Sequence, residues 1–96
     1  MNNQEYNLVK IIEECAEVQE ACTKILRFGM HGKVPQCDNS NLDRLRLELG
    51  DLTVAIQLLE YSIGESLEIS EDELDLKRGR FTEFKDVSGR LGRVTL

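Results

Sequence analysis

Histidine and proline occur once each in these 96 residues, as His31 and Pro35, and tryptophan is absent. Cysteine is scarce too: Cys15, Cys22 and Cys37 form an odd set with no CxxC pair. With a single histidine to join them, a zinc site of ordinary spacing is excluded, and so is a disulfide framework. Cys15 and Cys22 lie two turns apart on one helical face among apolar residues, so both are expected in the core as small hydrophobes. No apolar stretch approaches the length of a membrane span, and the opening MNNQEYN lacks the basic start and apolar run of a signal peptide. A reduced, cytoplasmic protein that does not engage membranes is the expectation. Basic residues are also short, 12 against 18 acidic, for a net charge of −6. Gripping a nucleic-acid polymer requires the opposite sign. A small anionic substrate remains open, provided a metal ion or a local basic cluster offsets the repulsion.

What the chain has is helical periodicity. Residues from about Gln4 to Phe28 carry it without a glycine or proline. The stretch GMHGKVPQCDNSN, residues 29 to 41, gathers two glycines, the proline and several cap-type residues, and reads as a loop. Ser40 or Asn41 caps a second helix, expected from about Leu42 to Ile63 despite Gly50. After the break at Gly64, Ser70-Glu71-Asp72-Glu73 fits a capping box and starts a third helix, from about Glu71 to Val87, with a thin apolar stripe of Leu74, Phe81, Phe84 and Val87. No alternating pattern marks a strand. The expectation is all-α: an antiparallel helical bundle with two long helices and a shorter third, one domain over residues 1–87 and a loosely held tail over 88–96. Two broad apolar faces in so small a chain leave much surface uncovered, which predicts a homodimer or homotetramer whose subunits complete a four-helix bundle.

The acids carry the chemistry. At about 100° per residue, Glu14 falls inside the apolar sector of the first helix, Glu17 at its edge, and Glu13 and Glu20 further out. On the second helix Glu48 lies between Leu59 and Ala55, and Asp51 between Ala55 and Leu58. An unpaired carboxylate in apolar surroundings is costly and is relieved by protonation, pairing or metal coordination. Pairs spaced i, i+3 on two facing helices place four carboxylates around one cavity, as in carboxylate metal sites of helix bundles. Oxygen ligands without histidine or cysteine favour Mg²⁺ or Mn²⁺. The alternative for each pair is a solvated or salt-bridged helix surface, and residues alone leave the two readings about even.

Glu13-Glu14-Cys15-Ala16-Glu17 followed by Glu48-Leu49-Gly50-Asp51 resembles the EExxE…ExxD signature of the all-α, MazG-like nucleoside triphosphate pyrophosphohydrolases, over roughly residues 8 to 81. The resemblance implies Mg²⁺ held by Glu14, Glu17, Glu48 and Asp51. It makes Glu13 an outer residue or the catalytic base, and it implies hydrolysis of a nucleoside triphosphate to the monophosphate and pyrophosphate. The loop at 29–41 stands as an insertion between the motifs. Family members often carry a lysine and an asparagine, then an arginine and an aromatic, on the third helix. Arg80 and Phe81 match the latter pair and Lys77 takes the asparagine position, no asparagine being present there. The match implies substrate binding by Lys77 and Arg80, with Arg78 a further cation; a solvated cationic helix C-terminus favoured by the dipole is the equal alternative for all three. A phosphoribosyl-ATP-type pyrophosphohydrolase on the same fold and a non-catalytic metal-binding or interaction module are the alternatives. Tyr6 and Phe28 are expected in core packing, a base-stacking wall being the alternative. His31 and Lys33 are expected in a solvated loop, and Lys24 and Arg27 in solvent.

Overall fold

The computed structural model describes residues 1–95, and those residues form three α-helices and no strand. Helix α1 spans Asn3–Phe28, α2 Asn41–Ile63 and α3 Glu71–Arg90. Each begins at a side-chain cap. Asn2 Oδ1 accepts from the Glu5 amide at 2.8 Å, Ser40 Oγ from that of Asp43 at 3.1 Å, and Ser70 Oγ from that of Glu73 at 3.2 Å. Each bond satisfies a donor that a helix N-terminus leaves unpaired. Of the two expected caps for α2, Ser40 does the capping. At the other end of that helix Gly64 adopts the left-handed conformation, φ 71°, and its N–H reaches the Glu60 carbonyl.

The chain divides into two compact units, one from Met1 to Ser66 and a second from Leu67 onward. In the first, α1 and α2 pack as an antiparallel pair. Asn7, near the start of α1, donates its side-chain amide to the Leu58 carbonyl near the end of α2, at 3.4 Å. At the opposite end Asn41, 1% exposed, donates to the Gly29 carbonyl at 2.9 Å while its backbone N–H reaches the Gly32 carbonyl. The Leu42 N–H closes onto Met30. These bonds fold the end of the connecting loop against its beginning.

The two helices meet along a strip with a thin core, and Ile11, Val18, Ile25, Leu45, Leu52 and Ile56 are half-buried on them. Ala21, Ala55 and Leu59 are its buried hydrophobic members, and alanine permits close approach of two backbones. The apolar arc on each helix is wider than this strip, so Leu8, Ile12, Leu26, Leu47, Val54 and Leu58 remain exposed. The same cause overturns four expectations. Cys15 and Cys22 are exposed rather than core, and Tyr6 and Phe28 are 54% and 43% exposed. Phe28 instead stacks under the Arg27 guanidinium, 5.0 Å from the ring centroid.

In the second unit α3 runs three residues past its expected end, to Arg90, so 88–90 are helical rather than tail. Gly89 did not stop it. The Leu91 N–H closes the last turn onto the Val87 carbonyl, and Gly92, at φ 74°, takes the left-handed position. Phe81 and Phe84 of the apolar stripe are 76% and 65% exposed. No helix among the described residues is long and apolar enough to cross a membrane.

Candidate metal centre

Two turns of each helix in the first unit define the site. On α1, Lys10, Glu13, Glu14 and Glu17 fall on neighbouring positions one turn apart, and on α2 Arg44, Glu48 and Asp51 do the same. Antiparallel packing sets these turns side by side. Glu14, Glu48 and Asp51 then each offer a carboxylate oxygen lying within 4.8 Å of those of the other two. Three of the four acids expected to hold metal therefore meet. The fourth, Glu17, lies outside this trio and is exposed, although its charge is felt at Glu48. The side chains of Glu14 and Glu48 are only 15% exposed, as their places in the apolar sector foretold. Asp51 is exposed.

Glu48 feels this gathering most. Burial pushes its carboxyl above the ordinary range, and the negative charges of Glu17, Asp51 and Glu14 add to the shift, while Arg44 opposes it. Like charges converging on one half-buried carboxylate are relieved by an added cation. The donor set suits a hard divalent ion, since carboxylate oxygens gathered at this spacing need only small side-chain adjustments to share one.

Two cations already serve in part. Lys10 Nζ lies 3.5 Å from Glu14 Oε1 and 3.2 Å from Glu13 Oε2, and Arg44 NH2 lies 3.6 Å from Glu48 Oε1. The Lys10 ammonium is correspondingly held above its usual pKa, first by the hydrogen bond to Glu13 and next by that residue's charge. Sequence reasoning passed over both cations. Their signal was a spacing shared by the two helices: Lys10, Glu14, Glu17 and Arg44, Glu48, Asp51 each follow a cation-x3-acid-x2-acid pattern. A cleft of about 290 Å³ lined by Lys10, Glu14, Asp51, Val54, Ala55 and Leu58 opens on one side of the acids.

The other expected residues lie as follows. Glu13 is exposed and paired with Lys10. Lys24 pairs with Glu20 at 3.1 Å. Lys77 and Arg80 are exposed on α3, in the second unit. Arg78 is engaged by Asp75 and, at 3.6 Å, by Glu71. His31 and Lys33 are exposed in the loop. Comparison of the chain with family models, with curated proteins and with solved structures returns no match.

Proposed function

We propose that this protein is a divalent-metal-dependent hydrolase of nucleoside triphosphates, releasing pyrophosphate and a nucleoside monophosphate. What carries this reading is the convergence of Glu14, Glu48 and Asp51 from two helices onto one point, joined to the EExxE…ExxD spacing. Glu14, Glu48 and Asp51 would hold Mg²⁺ or Mn²⁺, with Glu17 at the edge of the same site. Bound there, the ion would polarise phosphate oxygens and neutralise the charge of the leaving pyrophosphate. Glu13, one position from Glu14 and exposed to solvent, would take up the proton of the attacking water at a carboxylate oxygen. Lys77 and Arg80 on α3 are proposed as further substrate contacts.

The proposal extends to assembly. Exposed leucine, isoleucine and valine on both helices of the first unit are the surface that a second copy would cover, completing a four-helix bundle as a homodimer or homotetramer. Action in the cytoplasm, on reduced protein, belongs to the same reading.

Pyrophosphate release from a panel of ribo- and deoxyribonucleoside triphosphates, with Mg²⁺ and then with chelator, is the direct test. Metal-dependent release from any member supports the class and reports the base preference. No release from any member by folded, metal-binding protein removes the triphosphate reading in favour of a phosphoribosyl nucleotide or a non-catalytic metal-binding module, which assay of phosphoribosyl-ATP separates.

A further inference from the structure

Resting on that reading, we propose that Lys10 and Arg44 are exchangeable counter-ions of the acid site, which release Glu14 and Glu48 when a divalent ion binds and turn to the phosphate chain of the substrate. Each cation stands four residues before its acid, on its own helix, and the helices run antiparallel. The two therefore approach the trio from opposite ends along the helix pair. Lys10 lines the cleft that also holds Asp51 and Leu58. Arg44 lines the crevice at the other end, with Glu17, Lys24 and Asn41. A linear chain of phosphates laid across the acids would have Lys10 in the open cleft toward one end, and Arg44 would reach its other end by swinging out of a crevice too tight for a water.

The engagement of both cations with the trio is loose, although Lys10 also donates a 3.2 Å hydrogen bond to Glu13 that the exchange gives up. Separations of 3.5 and 3.6 Å exceed the roughly 2.7–2.9 Å of a strong charge-assisted bond, and each cation's side chain is 36% exposed. Long side chains with one end in solvent change partners cheaply. The charge balance favours the exchange. Five carboxylates (Glu13, Glu14, Glu17, Glu48, Asp51) and two cations leave a net −3 at the site, which repels a polyphosphate. One divalent ion reduces the site's charge to −1 and a second would bring it to +1, which weakens the hold of the carboxylates on Lys10 and Arg44 and frees them for the phosphates.

Calorimetry on the full chain tests this with two titrants: Mn²⁺ alone, and the Mn²⁺ complex of linear diimidotriphosphate, whose bridging nitrogens resist hydrolysis. Lys10→Met and Arg44→Met are each expected to bind Mn²⁺ roughly two- to fivefold more tightly, because a competing exposed ion pair is gone. Each is expected to bind the triphosphate mimic about tenfold more weakly, the loss of one charge-assisted contact. Lys10→Arg should behave as the parent protein in both titrations. Arg46→Met, which removes the same charge from the exposed pair with Asp43, should change neither. Shifts in Lys10→Met and Arg44→Met that merely match Arg46→Met would overturn the inference while leaving the metal reading intact. An absence of Mn²⁺ binding by the unsubstituted, folded protein would overturn both. Loss of a nearby charge alone moves the affinities for Mn²⁺ and for an anion in opposite directions at both positions. Opposite-signed shifts larger than those of Lys24→Met, which removes the same charge from the pair with Glu20 beside the site, are therefore the signature of exchange.

Discussion

Glu48 concentrates the chemistry of the site into one side chain. Its carboxyl is raised because burial and the charges of Glu17, Asp51 and Glu14 all disfavour ionisation. The sign of the resulting pH dependence follows. A carboxyl that binds its proton more tightly folded than unfolded contributes stability at pH below its ordinary value of 4.5, and loses that contribution as pH rises through the folded value. Glu48→Gln is therefore expected to raise the melting temperature of the metal-free protein at pH 7 and to leave it unchanged at pH 3, by scanning calorimetry. The same substitution removes a ligand, so the Mg²⁺-induced rise in melting temperature should vanish. Pyrophosphate release by Glu48→Gln or by Asp51→Asn should fall at least about 100-fold, the upper range for residues that only support a metal ligand. An unchanged circular dichroism spectrum alongside that loss separates chemistry from folding; full activity in both variants would remove the site.

At the scale of elements, the turn after α1 carries the structural constraint. Gly32 sits where an added Cβ would collide with the backbone carbonyl of Phe28, which cannot move without unwinding the end of the helix. Gly32→Ala is expected to cost about 1–3 kcal/mol in urea denaturation, as overpacking against an unyielding neighbour does. Neighbouring Gly29, with its positive φ and nothing near its Cβ position, is strained by substitution for conformational reasons instead. On α3 the cap is the sensitive point. Removing the Ser70 hydroxyl by Ser70→Ala should cost about 1 kcal/mol, readable as a lower melting temperature. Helix starts were accessible to sequence reasoning because caps are local chemistry. The Asn2 cap shifted α1 by one residue only, whereas the run of α3 through Gly89 to Arg90 was missed because one glycine weakens a helix without ending it.

For the molecule as a whole, the uncovered leucines dominate. Leu26 and Tyr61 are 87% and 90% exposed, and Ile12 69%, on a pair of helices whose buried apolar side chains are Ala21, Ala55 and Leu59. A hairpin with so thin a core is marginal by itself, so assembly and stability are expected to be linked. Light scattering at micromolar concentration should report a dimer or tetramer, and the melting temperature should rise with protein concentration. A monodisperse monomer with a concentration-independent melting temperature would refute the assembly. Glutamate in place of Ile12 should shift the equilibrium toward monomer if that face is covered, and leave it unchanged otherwise.

Helical periodicity, caps and the places of glycine are properties of neighbouring residues, so the sequence by itself determined the all-α class, the three helices and the position of Glu14 and Glu48 in apolar sectors. It also located the motif acids, since i, i+3 spacing forces two carboxylates onto one helix face. Which of them meet depends on how α1 and α2 are rotated and set in register, and that is a property of packing. Only the tertiary structure decided that Glu14, Glu48 and Asp51 converge while Glu17 stands outside the trio, and that Lys10 and Arg44 flank them. The same limit explains Cys15, Cys22, Tyr6 and Phe28. A helical wheel identifies an apolar arc, but the partner helix determines how much of the arc is covered. Here only Ala21, Ala55 and Leu59 of the arc are fully covered, and its other apolar residues are half-buried or exposed.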